Sequence, residues 1–157
     1  MAALQHEVNK KQPFDLLEQE AHLNLVRTAA ELEGPMLQIL KPHGLTASTY
    51  NVLRILRGSG PAGRHASDIG CDMVVRVPDV TRLVDRLEQR GLVVRERSTT
   101  DRRVVVVRIS DAGLELLKKL DKPVLAAHKE LLGHMTTEEL TALNALLVKA
   151  RGGQEAE

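Results

Sequence analysis

Between Arg76 and Arg108 the chain carries nine arginines, at 76, 82, 86, 90, 95, 97, 102, 103 and 108, and no lysine. Five acids, at 79, 85, 88, 96 and 101, stand against them and leave a local excess of four positive charges in a protein of formal net charge +1. Arginine presents a planar fork of donors that grips a phosphate or a guanine edge bidentately. The segment therefore has the chemistry of a double-stranded DNA contact. The same residues also suit a solvated surface laced with ion pairs, and charge alone does not choose between the two.

The elements that must position these arginines are legible around them. Val80, Leu83, Val84 and Leu87 repeat on one face, which predicts a helix with Pro78 at its first position, ending near Arg90 and capped by Gly91. Asp79, Thr81, Arg82 and Arg86 then face outward and are the candidate DNA-binding residues. Arg82 suits a guanine edge or a phosphate, and Thr81 a phosphate or a thymine methyl. Asp79 would repel phosphate, so it is expected to cap the helix or orient an arginine. The β-branched runs Leu92 to Arg97 and Val104 to Ile109 flank polar residues 98 to 103 and predict a hairpin. Its tip holds Arg102 and Arg103, shaped to enter a narrow minor groove, with Asp101 as a brace. An ordinary surface ion pair explains the tip as well.

Ahead of this region, Thr46 is a plausible cap for a helix bearing Val52, Leu53, Ile55 and Leu56, stopped by the Gly58 to Pro61 breaker. A short helix is expected from His65 to about Asp72. Two helices, an arginine-bearing third and a hairpin make a winged helix-turn-helix over residues 45–111. A long helix is predicted over Leu16 to Leu40, with a kink or a short break near Glu33 at Gly34 and Pro35. Ser110 caps a later helix with Leu114, Leu117, Leu120 and Val124 on one face and a bend at Pro123, and Thr136 with Glu139 forms a capping box. The last helix is expected to bury Leu140, Leu143, Leu146 and Leu147. The fold class is thus mainly α with a small β-hairpin wing. The leucine-rich flanks, residues 14–42 and 112–151, would leave large apolar surfaces on a lone monomer and are expected to form a dimerisation region.

Composition narrows the function further. A chain of 157 residues has room for a real core, and with Phe14 and Tyr50 as its only aromatics that core must be Leu, Val and Ala. Proteins that hold single strands stack bases on aromatic platforms, so that class is disfavoured. The single cysteine, Cys71, precludes an internal disulfide, fits a reducing compartment and is expected to be a buried structural thiol. Met1 to Lys11 is polar, and no window approaches a membrane span, so a cytoplasmic protein without membrane contact is expected. There is no glycine-rich phosphate loop, zinc-protease motif or nucleophile elbow, which argues against an enzyme. His128 and His134 are six apart rather than three or four, so neither a metal nor another cofactor is expected.

The run Asp101, x, Arg103, three residues, Val107, x, Ile109, Ser110, x, x, Gly113 resembles the wing signature of the MarR family of bacterial transcription regulators. Gly44, Leu45, Thr46 is similar to the turn before that family's second helix, and residues 76 to 93 resemble its recognition helix. The resemblance spans Leu16 to Leu147. It implies a homodimer whose first and last helices interlock, placing two winged helices on a palindromic operator, most often as a repressor. It also implies a crevice for a small-molecule effector between the dimer helices and the winged helix, near Leu16 to Leu40, Tyr50, Arg54 and Leu114 to Val124. Tyr50 and Arg54, one helical turn apart, would suit a carboxylate or phenol. The family's redox-switched branch places its cysteine near the start of the first helix, where this chain has none. The alternative function is a winged helix that docks on a partner protein, with its arginines braced by its own acids and little specific DNA binding.

Overall fold

In chain order the elements are α1 (Ala3–Glu7), α2 (Leu17–Leu40), α3 (Ala47–Gly58), β1 (Arg64–His65), α4 (Ala66–Asp72), α5 (Val80–Gln89), β2 (Val93–Arg97), β3 (Val105–Ile109), α6 (Asp111–Leu132) and α7 (Thr137–Ala150). The structure is a computed structural model and describes residues 3–97 and 105–152. Single turns of 3-10 helix cover Lys41–His43 and Gly60–Ala62.

Local chemistry sets the boundaries. Thr46 opens α3 with a reciprocal cap, its hydroxyl accepting from Thr49 N while Thr46 N donates to the Thr49 hydroxyl. Asp79 caps α5 by accepting from Arg82 N at 3.0 Å, so Pro78 precedes the cap rather than occupying the first helical position. At the far end of α5, Gly91 takes φ +68°, and Leu92 N reaches Leu87 O at 2.9 Å while Gly91 N reaches Glu88 O at 2.8 Å. This closing motif needs a left-handed residue, which is why a glycine ends the helix and turns the chain straight into β2. Ser110 and Thr136 cap α6 and α7 as expected.

The core lies where α3, α4, α5 and the sheet meet α2 and α6. Val52, Leu53 and Leu56 of α3, Ile69 of α4, Val84 of α5, Val107 of β3, and Leu117 and Leu120 of α6 are all fully buried. The sheet is antiparallel with order β1-β3-β2, Val93 facing Ile109 and Arg97 facing Val105 on one side of β3, and Arg64 facing Val107 on the other. The two-residue strand β1 was not expected. It anchors the wing to the start of α4, and Arg64 of β1 pairs with Asp72 at the end of that helix at 2.7 Å.

Several expectations need correction. The helix α2 has no break near Glu33 and runs on through Gly34 and Pro35, just as α6 continues through Pro123. Both prolines lie on exposed faces, where water can take the carbonyl that proline leaves unpaired. A short helix, α1, precedes α2, with Leu4 buried and Glu7 paired to Arg27 of α2 at 3.0 Å. Cys71 is exposed on α4, not a buried structural thiol. Leu114 is exposed, and α7 buries none of its leucines, Leu146 standing 63% accessible. Among the described residues α7 makes only marginal contact with the other elements, which leaves Leu140, Leu143 and Leu147 half-buried and Leu146 exposed. Among the described residues no helix is long and apolar enough to cross a membrane.

Candidate nucleic-acid interface

Helix α5 divides into three stripes. Val80, Val84 and Leu87, with Leu83, turn to the core. Thr81, Asp85 and Glu88 form a second stripe facing β2, where Arg95 spans all three: its guanidinium donates to Thr81 O at 3.2 Å and to Glu88 at 3.2 Å, and approaches Asp85 at 2.5 Å. The third stripe, Arg82, Arg86 and Gln89, is exposed. Short capping and a strong apolar face thus leave one row of polar side chains on an otherwise packed helix, the geometry a groove-reading helix needs.

The nine arginines do not all stand free. Arg82 Nε lies 3.0 Å from Asp79 Oδ2, so one carboxylate both caps the helix and holds the side chain that follows it. Arg90 donates to the carbonyls of His43 and Gly44, each at 2.7 Å, locking the end of α5 to the turn before α3. Arg108 pairs with Glu96 across the hairpin and donates to Pro61 O. Arg76 and Arg86 have no hydrogen-bond or ion-pair partner among the described residues. Of the expected outward set, Arg82 and Arg86 share one exposed stripe of α5, Asp79 stands at its N-cap, and Thr81, also exposed, lies on the neighbouring stripe beside β2. Asp101, Arg102 and Arg103 lie outside the described residues.

Beside Arg86 a cleft of about 260 Å³ separates α5 from the start of α3, lined by Gly44, Thr46, Thr49, Arg86, Gln89 and Arg90. Gln89 and the cleft were missed in the sequence, although the spacing of Gln89 from Arg82 and Arg86 was enough to find the residue.

A second cavity, about 230 Å³, opens between α2, α3 and the loop after α4. Met36, Leu40, Met73, Val74 and Val75 give it apolar walls, and Tyr50, Arg54 and His128 its polar edge. Arg54 donates to the Tyr50 hydroxyl at 3.2 Å with its guanidinium 5.9 Å from the ring centre, so the two residues singled out by spacing are joined and both line the cavity. The loop that forms one wall, pinned by Val74 N donating to Asn51 at 2.8 Å, leads directly into α5. Below the cavity Arg57 of α3 meets Asp121 of α6. The hydrogen bonds and charge of Arg57 hold the Asp121 carboxyl below its ordinary value, and Asp121 in turn raises Arg57. Among the described residues no cluster of metal-ligating side chains occurs.

Helix, turn, exposed helix and strand-borne wing, with arginine on the exposed face, define a winged-helix DNA-binding transcription regulator. The MarR family model matches residues 45–105. The HTH-type transcriptional repressor MdtR of Bacillus subtilis is 31% identical over 146 residues, covering 91% of this chain and 90% of that protein. The crystal structure of a MarR transcription factor from Planctomyces limnophilus is 44% identical with a TM-score of 0.67, over 86% of this chain and 98% of that one. A mutant MarR from E. coli complexed with operator DNA is 25% identical with a TM-score of 0.75, over 87% of this chain and 99% of that one. The chain belongs to the MarR family.

Proposed function

We propose that this protein is a homodimeric, ligand-responsive repressor that binds a palindromic operator. In this reading residues 45–111 form the DNA-binding winged helix, and residues 14–42 and 112–151 the dimerisation region. The observation that carries it is the exposed stripe of α5: Arg82 and Arg86 project from a helix whose apolar face is packed on the core and whose third stripe is tied to β2 through Arg95. Arg82 and Arg86, with Thr81 and Asp79 at the helix start, meet the major groove, while Arg102 and Arg103, braced by Asp101, enter the minor groove. Asp79 acts through Arg82. The operator complex of the E. coli relative supports the mode of binding.

Dimerisation is supported by apolar side chains left uncovered at both ends of the chain, among them Leu16, Leu17, Val26, Leu125 and Leu146, each more than half accessible. Faces of this kind normally close on a second copy. The Tyr50 and Arg54 cavity supports an effector site for a small, largely apolar molecule with one acidic or phenolic group. Its wall is continuous with the segment leading into α5, so an occupant would bear on the reading helix.

Protein docking through the wing is the weaker reading. Bracing of Arg82, Arg95 and Arg108 by carboxylates is the observation that favours it, but Arg86 is not braced among the described residues. Sedimentation velocity together with titration of a duplex tests the proposal. A dimer that binds DNA with log affinity falling by about 0.9 per phosphate neutralised, against log salt, is expected, and a monomer indifferent to DNA would refute it.

A further inference from the structure

We propose that Arg95 is a positioning residue for operator recognition, which fixes the angle between the reading helix and the wing without touching DNA. The inference rests on the reading of α5 and the hairpin as the DNA contacts.

The two contacts are carried by different elements. Helix α5 ends at Gln89, and β2, the strand that leads to the wing tip, starts four residues later at Val93. Leu92 N, donating to Leu87 O, closes the left-handed turn at Gly91 between them, and a polar attachment from the strand to the earlier turns of α5 adds to that joint and to the buried Val84 and Leu87. Arg95 supplies it. From the third position of β2 its guanidinium reaches Thr81 O in the first turn of α5, Asp85 one turn on and Glu88 near the end, so that one side chain spans the helix length. Its side chain is three-quarters covered, at 25% accessibility, and its Nη groups are engaged by these three acceptors. It is thereby unsuited to gripping a phosphate.

The pairing has a second effect. Asp85 and Glu88 are each about two-fifths exposed on the helix that faces DNA, where bare carboxylates would repel the phosphate backbone. Arg95 shares its donors between both and offsets one of the two charges, while keeping the neighbouring stripe of Arg82, Arg86 and Gln89 aimed away from β2. Loss of Arg95 would remove this attachment and leave both carboxylates without their cationic partner. It would weaken and blur recognition while leaving the number of phosphate contacts unchanged.

The test uses the full-length protein and a duplex enriched on it from a randomised double-stranded library. Fluorescence anisotropy against log salt is measured for the wild type and Arg95→Gln, and again with both proteins in an Asp85→Asn/Glu88→Gln background. Arg95→Gln is expected to weaken binding about tenfold in the wild-type background, within the range of coupling between contacting groups, with an unchanged salt slope. In the neutralised background the same substitution should cost much less. An equal loss in both backgrounds, or a slope reduced by about one, would make Arg95 a direct phosphate contact and overturn the proposal, as would unaltered binding. If Arg95→Gln fails to fold by circular dichroism, Asp85→Asn/Glu88→Gln with Arg95 intact decides. Positioning predicts a lower ratio of selected to scrambled duplex affinity, and an unchanged ratio contradicts it. Enrichment of no duplex by the wild type would instead bring down the DNA-binding reading, and this inference with it.

Discussion

Arg57 on α3 donates both terminal nitrogens to Asp121 on α6, each bond 2.9 Å long, across 64 residues of sequence. This fork-to-fork pair is the charged link between the helix-turn-helix and the long helix that leads to the chain's C-terminal end. Such geometry fixes orientation as much as it stabilises. Both helices that the pair joins also line the cavity, α3 through Tyr50 and Arg54 and α6 through His128.

Asp121→Asn should lower stability by no more than about 1 kcal/mol, because both side chains are roughly a third accessible and solvent screens the pair. The pH dependence has a definite sign. The folded Asp121 carboxyl titrates below its ordinary value of 3.8, so its contribution is present above that value and is lost as pH falls through the depressed one. Thermal unfolding of wild type and variant should differ at neutral pH and converge below pH 3.8. A gap that widened on acidification would refute the assignment.

Asp79→Ala removes a helix cap and the brace on Arg82 together. A stability loss of about 0.5 to 2 kcal/mol is expected in urea denaturation, along with weaker discrimination among duplexes. Unchanged discrimination would leave Asp79 as a cap only.

For Arg86→Ala the expectation is weaker DNA binding at unchanged stability, since no partner is lost among the described residues. A salt slope reduced by about one would mark a phosphate contact, and altered sequence preference a base contact. Binding equal to wild type would remove Arg86 from the interface.

Gly113 was legible as a motif glycine, and the structure supplies the reason. A Cβ there would lie 2.3 Å from Leu92 O and 2.7 Å from Ile109 Cγ1, because the first turn of α6 sits against the junction of α5 and the sheet. Gly113→Ala should cost about 1 to 3 kcal/mol in urea denaturation. A neutral substitution would contradict that packing.

The reading helix, the hairpin strands and three of the caps were legible because each depends on residues within a turn or two of one another. Strand β1 was not, since a two-residue strand has no alternation to read. The bracing of Arg95 by Asp85 and Glu88, and of Arg90 by the carbonyls before α3, is set by tertiary approach. Nine arginines in sequence therefore looked freer than the fold leaves them. The leucines of α7 show the reverse error. Their helical spacing was correctly read as an apolar face, but a face can be buried by the same chain or by another, and periodicity is the same in both cases. Pro35 misled only as to a break, because a proline on the exposed side of a helix leaves its unpaired carbonyl to water and the helix continues through it.

The apolar face of α7 makes a separate prediction. Leu146→Glu together with Leu143→Glu should shift the protein to monomer in sedimentation velocity with its helix content retained, because neither side chain is buried within the chain. An unaltered sedimentation coefficient would place the dimer elsewhere or exclude it.

The central claim is that this chain reads double-stranded DNA as a symmetric pair of winged helices, and selection from a randomised duplex library tests it most directly. Enrichment of an inverted repeat is expected, with half-sites about one helical turn, roughly 34 Å, apart, bound far more tightly than a scrambled duplex and with steep salt dependence. Enrichment of no sequence, with equal and weak binding to both duplexes, would contradict it.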